Sequence, residues 1–256
     1  VSYDKLWGED NENNKEFIFA FDYEQDEASN FYSNFTGRIV DFNSLFDDNG
    51  VKATDKSVIG DGVSTILNGA SRYGPSDKIL LKLDDVNDNR RNTFIRFYSN
   101  NAGHIPYTPG DNAYKTSILK KFLGTVYDDG SRKNFNNIPL YRYADVLLLL
   151  AEAKNNLNED PSAEINAIRQ RAFGSKFEDY RFVNGTQASN KKVILDERLK
   201  EFIGEGKRWW DLVRAGDGIV FEEIQYLTPA EAYKIYYPIS ESMLANDDQL
   251  VQTEGY

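Results

Sequence analysis

The strongest fold signal in this 256-residue chain lies in residues 189–216, which read SNKKVILDERLKEFIGEGKRWWDLVRAG. Their apolar side chains recur every three or four positions, a spacing typical of an amphipathic helix. Ser189 or Asn190 can cap this helix at its start, and Gly216 can end it. The sequence therefore predicts one long helix, whose apolar series is Leu195, Leu199, Phe202, Ile203, Trp209, Leu212 and Val213.

Two glycines lie inside this predicted helix. Gly204 and Gly206 should each cost up to about 1 kcal/mol relative to alanine in a helix interior. Either another backbone approaches closely at this point, or the helix breaks locally into two. The sequence leaves both readings open.

Two shorter helices are predicted before the long one. Residues 141–157, YRYADVLLLLAEAKNNL, are so apolar that the first helix should be covered on most sides. The second should begin after Asp160 and Pro161 and run to about residue 173, where Gly174 can terminate it. These helices should form an antiparallel pair, comparable to the helix pairs of tetratricopeptide repeats.

The first 138 residues have a different character, because glycines and polar clusters interrupt every apolar run. Short strands are predicted at residues 16–23, 78–83 and 92–98. Near the other end, residues 229–233 predict a short helix and residues 234–237 a strand-like segment. We therefore predict a mostly α fold, in which residues 1–138 form an irregular loop-rich lobe on the ligand side and residues 139–256 form a helical region with a tail.

Composition excludes several classes of function. The chain has 41 acidic and 30 basic residues and a net charge of −11, which argues against binding to nucleic acid. It has no cysteine, so thiolate metal sites and cysteine nucleophiles are excluded. His104 is the single histidine, and it cannot form a two-histidine metal site. We expect no cofactor, no metal and no catalytic residue.

Charged motifs offer two weaker chemical readings. Opposite charges three and four residues apart in the long helix, such as those of Glu197, Glu201 and Arg208, favour structural ion pairs over the paired carboxylates of a glycosidase. Residues 84–91, DDVNDNRR, could attract calcium, but they lack the ligand spacing of a calcium loop. Trp209 and Trp210 are adjacent, so at most one can fully face the core.

Aromatic residues in polar loops are the clue to binding. The chain has 16 tyrosines, 16 phenylalanines and three tryptophans, and several of them lie in loops. Flat rings can cover the apolar face of a sugar while amide and guanidinium groups bind its hydroxyls. Burial in the core is at least as consistent with each of these side chains. The candidate ligand-binding residues are Phe31, Tyr32, Tyr73 and Tyr107, with Asn30, Asn34, Arg72 and Asn100 as hydrogen-bond partners.

Several segments resemble, in the same order, motifs of the SusD/RagB family of surface glycan-binding lipoproteins. The most specific match is residues 194–214, with Lys200 where the family often has leucine. The other matching segments are 16–20 (EFIFA), 88–91 (DNRR), 139–153 (PLYRYADVLLLLAEA), 166–172 (NAIRQRA) and 237–256 (YPISESMLANDDQLVQTEGY).

This resemblance implies both a fold and a role. The fold would consist of tetratricopeptide-like helix pairs packed against a loop-rich lobe. The role would be non-catalytic: capture of an oligosaccharide or polysaccharide at the cell surface and delivery to a SusC-like TonB-dependent outer-membrane transporter. The alternatives are a peptide-binding uptake protein of the same family and, less favoured, a glycoside hydrolase. Ligand contacts differ among members of the family, so no binding residue can be carried over.

Members of this family normally also have an amino-terminal half, which begins with an acylated cysteine and contains the first tetratricopeptide-like helices. Neither feature is present in this sequence. We therefore expect a carboxyl-terminal portion whose partner is the missing amino-terminal half, and whose lipid anchor to the outer membrane lies outside this chain. The predicted helices would then lack part of their packing surface.

Overall fold

The computed structural model describes residues 2–24, 27, 28, 30, 42–59, 73–129 and 132–256. The chain divides into two compact units, Val1–Glu205 and Gly206–Tyr256. This boundary differs from the predicted division after residue 138, which separates loop-rich from helical sequence and stays a prediction as a functional division.

The described strands are short and lie in the first unit. They are β1 (Phe17–Phe21), β2 (Phe46–Asp47), β3 (Phe94–Tyr98), β4 (Tyr114–Leu119), β5 (Thr125–Val126), β6 (Arg132–Lys133) and β7 (Ile138–Arg142). β1 pairs with β7 in an antiparallel ribbon, β2, β3 and β4 form a three-stranded sheet in that order, and β5 pairs with β6. Two of the three predicted strands, those at residues 16–23 and 92–98, are therefore confirmed.

Helices make up most of the remaining regular structure. The α-helices are α1 (Lys56–Ile59), α2 (Asp77–Lys82), α3 (Tyr143–Asn156), α4 (Ser162–Phe173), α5 (Gln187–Phe202), α6 (Arg208–Ala215), α7 (Asp217–Glu223) and α8 (Glu241–Asn246). The 3-10 segments are Tyr3–Lys5, Glu9–Asn11, Phe42–Ser44, Asn89–Thr93, Gly174–Tyr180 and Pro229–Ile235.

The strand predicted at residues 78–83 is wrong, because this segment lies almost entirely in α2. Leu80 and Leu83 are buried while Leu81 is half exposed, which is the three-residue spacing of a helix. A short apolar run cannot by itself distinguish a strand from a helix. The strand-like segment predicted at residues 234–237 is also absent, since a 3-10 helix runs through Ile235.

The predicted helix pairs are present in α3, α4 and α5. α3 packs against both of the other helices. One buried cluster joins Ala144 and Leu148 to Ile168 and Phe202, and a second joins Ala151, Ile165, Phe182 and Ile194. Thr186, rather than Ser189 or Asn190, caps α5, because its hydroxyl accepts a hydrogen bond from the Ser189 N–H. The helical fold with short strands is thus confirmed.

The long helix predicted over residues 189–216 is broken into two helices. α5 ends at Phe202 and α6 begins at Arg208. Between them Gly204 and Gly206 have φ angles of +80° and +72°, a left-handed backbone that glycine adopts without strain. A Cβ atom on Gly204 would lie 3.0 Å from Leu119 Cδ2, so a side chain of β4 also approaches closely there.

α3 is not covered on most sides, contrary to prediction. Ala144, Leu148 and Ala151 are fully buried on one face. The opposite face is exposed, and its residues recur at alternating intervals of three and four. This exposed α3 stripe consists of Tyr143, Val146, Leu150, Ala153 and Leu157.

The unit Gly206–Tyr256 has a small core of its own. Leu212, Val220, Leu227 and Ile235 are buried together. Trp209 packs partly against this cluster, whereas Trp210 is 59% exposed, so one of the two tryptophans faces the core as predicted.

Candidate ligand-binding surface

The carboxylates of α5 and of the turn that follows it are engaged in buried ion pairs. Their partners come from the 3-10 segment Asn89–Thr93, from β7 and from the residues after β4. The pairs are Arg90 Nη1 with Glu197 Oε2 at 2.8 Å, Arg142 Nη1 with Glu201 Oε1 at 2.9 Å, and Lys121 Nζ with Glu205 Oε1 at 2.6 Å.

Glu201 shows what this charged network does to an acid. Burial alone would raise the pKa of its carboxyl, but the surrounding cations, Arg171 and Arg142 foremost, lower that pKa to about 2. A carboxyl held as an anion at neutral pH cannot serve as the general acid of a glycosidase. The prediction of structural ion pairs in this helix is confirmed.

The acidic segment at residues 84–91 is occupied in the same way. Asp88 binds the Arg90 guanidinium through both carboxylate oxygens, at 2.8 and 2.7 Å, and Asp84 pairs with Arg91 at 3.2 Å. Across the described residues, no three His, Cys, Asp or Glu side chains are grouped so that they could hold a metal ion. These carboxylates order a turn.

The loop between β3 and β4 carries two of the candidate residues, and it is firmly anchored. Asn100 Oδ1 accepts from the Ala102 N–H at 3.0 Å and lies 2.8 Å from His104 Nε2. His104 Nδ1 lies 2.8 Å from Asp111 Oδ2, and its ring stacks on Tyr98 with centroids 3.9 Å apart. Asn100 itself is exposed. His104 therefore serves to hold the loop.

Tyr107, the second candidate in this loop, points inward. Its side chain is only 4% exposed and belongs to a buried cluster with Leu80 and Phe94. Its hydroxyl donates to Asp77 Oδ1 at 2.6 Å, and its N–H donates to Asp84 Oδ2 at 2.5 Å. In this conformation the ring offers no open face to a sugar.

The other candidates fall into three groups. Asn30 is buried, and its N–H and Nδ2 donate to the Asn134 and Asn136 carbonyls, both at 2.8 Å. Tyr73 is 61% exposed, so it and Asn100 are the two candidates with open side chains among those described. Phe31, Tyr32, Asn34 and Arg72 lie outside the described residues.

With the helix pairs and the anchored loop described, the comparison with known proteins can be read against them. A sequence profile described as the SusD family matches residues 8–256. The chain belongs to the SusD family. The match spans both compact units, so the whole of the described structure is SusD-like from residue 8 onward.

Individual relatives support this assignment. The chain is 32% identical over 130 residues to the starch-binding protein SusD of Bacteroides thetaiotaomicron, which covers 47% of this chain and 22% of that protein. It is 35% identical over 127 residues to the SusD-like protein P38 of Formosa agariphila, covering 47% of this chain and 25% of that one.

Solved structures of the superfamily match the fold over the full chain. A SusD superfamily protein from Bacteroides fragilis aligns with a TM-score of 0.80 at 28% identity, over 100% of this chain and 54% of that one. A second, from Bacteroides vulgatus, aligns with a TM-score of 0.78 at 29% identity, over 100% and 55%. The chain therefore spans about half the length of these SusD proteins.

Sequence reasoning missed the exposed α3 stripe. The signal was available, because Tyr143, Val146, Leu150 and Leu157 are spaced by three, four and seven residues. It was hidden by the equally apolar opposite face of the same helix. Among the helices that the structure describes, none is long and apolar enough to cross a membrane.

Proposed function

We propose that this protein binds an oligosaccharide at the bacterial cell surface without cleaving it and delivers it to a SusC-like TonB-dependent transporter. The observation that carries the proposal is membership of the SusD family over residues 8–256, together with similarity to a relative named for binding starch. Anchoring to the outer membrane through an amino-terminal lipid is part of the same proposal.

The chemistry of the described residues supports binding without catalysis. The α5 carboxylate Glu201 is buried and faces Arg142 and Arg171, the latter through the short contact of its Nη2 with Oε1. A glycosidase needs one carboxyl that can hold a proton at the scissile bond. The low pKa of Glu201 leaves it without a proton at neutral pH.

Within the proposed binding surface, Tyr73 and Asn100 have the most accessible side chains of the described candidates. A ring such as that of Tyr73 can cover the apolar face of a sugar, while an amide such as that of Asn100 binds hydroxyls. Phe31, Tyr32, Asn34 and Arg72 stay in the proposal as the neighbouring loop residues. Asn30 and Tyr107 would act from the interior, by holding these loops.

The exposed α3 stripe supports the amino-terminal half as a partner. Alternating spacings of three and four residues form the seam along which one helix packs against another. Several adjacent apolar side chains exposed to water mark an interaction surface. We infer that helices from the amino-terminal half, which would account for the additional length of the relatives, cover this stripe.

Affinity electrophoresis tests the binding role. The full-length protein is run in gels that contain plant, host or microbial polysaccharides, and retardation by at least one of them is expected. Tyr73→Ala should reduce the retardation several-fold. The matched control is Tyr226→Ala, because Tyr226 is 92% exposed and lies in the unit Gly206–Tyr256. Equal migration in every gel would contradict the proposal.

A further inference from the structure

A cavity of about 150 Å³ lies beside the amino-terminal 3-10 segments and the end of β4, away from the candidates of the β3–β4 loop. Liquid water occupies about 30 Å³ per molecule, so this space corresponds to about five waters or one small ring compound. Tyr3, Trp7 and Asn136 line its wall. Asn92 and Lys120, whose side chains are exposed, lie at its mouth.

Two polar atoms of this wall have no partner within the described part of the chain. The indole Nε1 of Trp7 is a buried donor without an acceptor, and Oδ1 of Asn136 is a buried acceptor without a donor. Asn136 is 97% buried, so bulk water does not solvate that oxygen. An unsatisfied buried polar atom costs about 1–3 kcal/mol, so both atoms favour a ligand that supplies the missing bonds.

The remaining groups narrow the chemistry of that ligand. Lys121 also lines the cavity, but its ammonium already donates to the Glu201 and Ile203 carbonyls and to Glu205. The Trp7 ring packs against Lys121, with Nζ 4.5 Å from the ring centroid, and against Phe122, with centroids 5.2 Å apart. What the wall offers is therefore the indole N–H and an amide oxygen.

A hydroxyl group matches this pair, because one hydroxyl both donates and accepts. A sugar ring carries several hydroxyls, and its carbon skeleton suits the aromatic side chains of Tyr3 and Trp7. An anion would face the unpartnered oxygen of Asn136, and a cation would face the indole N–H. A neutral polyhydroxylated ring fits better than either.

We propose that this cavity, lined by Trp7 and Asn136, is a second ligand subsite that holds a single neutral pyranose ring. The Trp7 N–H donates to one sugar hydroxyl, Asn136 Oδ1 accepts from another, and Asn92 lies at the mouth where the next ring would emerge. The inference rests on the proposed glycan-binding function and adds a subsite to it.

Saturation-transfer NMR of the full-length protein with methyl α-glucoside, methyl β-galactoside and methyl β-xyloside tests the subsite. We expect at least one of these pyranosides to bind. Trp7→Phe, which keeps a ring but removes the N–H, and Asn136→Leu should each weaken that binding about tenfold or more. Asn92→Ala, at an exposed position that tolerates substitution, should weaken it several-fold.

Trp210→Phe is the matched control, since it removes an indole N–H from a side chain that is 59% exposed and lies outside this cavity. It should leave pyranoside binding unchanged. Polysaccharide retardation in gels is measured in parallel. If polysaccharides still retard the protein but no pyranoside binds, or Trp7→Phe and Asn92→Ala bind like the parent, the subsite is refuted while the proposed function stands. If neither pyranosides nor polysaccharides bind, both are refuted.

Discussion

Arg90 and Glu197 are 107 residues apart in sequence, yet Nη1 of Arg90 donates to Oε2 of Glu197 at 2.8 Å with both side chains buried. The contact joins the turn that follows Asp88 to the middle of α5. These are two of the segments in which the sequence resembles the SusD family. Part of that resemblance therefore lies in residues that hold the loop-rich lobe and the helices together.

Arg90→Met should be strongly destabilising. The change leaves Glu197 and Asp88 buried without this cation, and breaking a buried ion pair from one side costs about 3–5 kcal/mol. Chemical denaturation followed by circular dichroism measures the loss. Arg181→Met is the matched control, because its pair with Glu178 is exposed on both sides. Equal denaturation midpoints for both variants would contradict a structural role for the buried network.

The network should also make stability depend on acid pH. The folded pKa of Glu201 is about 2, below its ordinary value of 4.5, so its stabilising contribution is complete above about pH 4.5 and is lost as the pH falls toward 2. The contribution is on the order of 3 kcal/mol. In urea titrations at pH 6 and pH 3, Glu201→Gln should lose less stability than the parent between the two pH values. Parallel losses would refute this assignment.

The break between α5 and α6 predicts a graded pair of glycine substitutions. Alanine at Gly206 should cost about 1 kcal/mol, because it must adopt a left-handed φ of +72°. Gly204→Ala should cost more, because its Cβ would also lie 3.0 Å from Leu119 Cδ2. Thermal denaturation ranks the two. A Gly204→Ala protein as stable as the parent would mean that this segment is helical.

The exposed α3 stripe predicts that two neighbouring leucines respond in opposite ways. Leu150→Glu should leave the denaturation midpoint of the present chain nearly unchanged, since Leu150 is 44% exposed. Leu148→Glu should unfold the chain, because it buries a charge at a position with no exposure. Leu150→Glu should nevertheless abolish binding of the separately produced amino-terminal half, measured by co-purification. Undiminished binding would rule out this stripe as the interface.

Sequence periodicity was sufficient where one face of an element is buried over several turns. α3, α4 and α5 were predicted because Leu148, Ile168 and Leu199 recur with their neighbours at helical spacing. It failed at α2, where a six-residue apolar run fits either a strand or a helix until its packing partners are known. The helix break at Gly204 was left open for a related reason, since left-handed φ angles cannot be read from composition.

The candidate site was less predictable than the fold. Tyr73 and Tyr107 both lie in polar sequence, yet one is 61% exposed and the other 4%. The difference depends on Asp77 and Asp84, which bind Tyr107 from 30 and 23 residues away. The Trp7 cavity was not predicted either, because Trp7 and Asn136 are 129 positions apart and neither belongs to a recognisable motif.

The most direct test of non-catalytic glycan binding is isothermal titration of the full-length protein against a panel of plant, host and microbial polysaccharides. The chain length of each ligand is analysed after the titration. We predict saturable binding to at least one polysaccharide, whose chain length is unchanged. No heat of binding across the whole panel, or a ligand that is shortened after binding, would contradict the account.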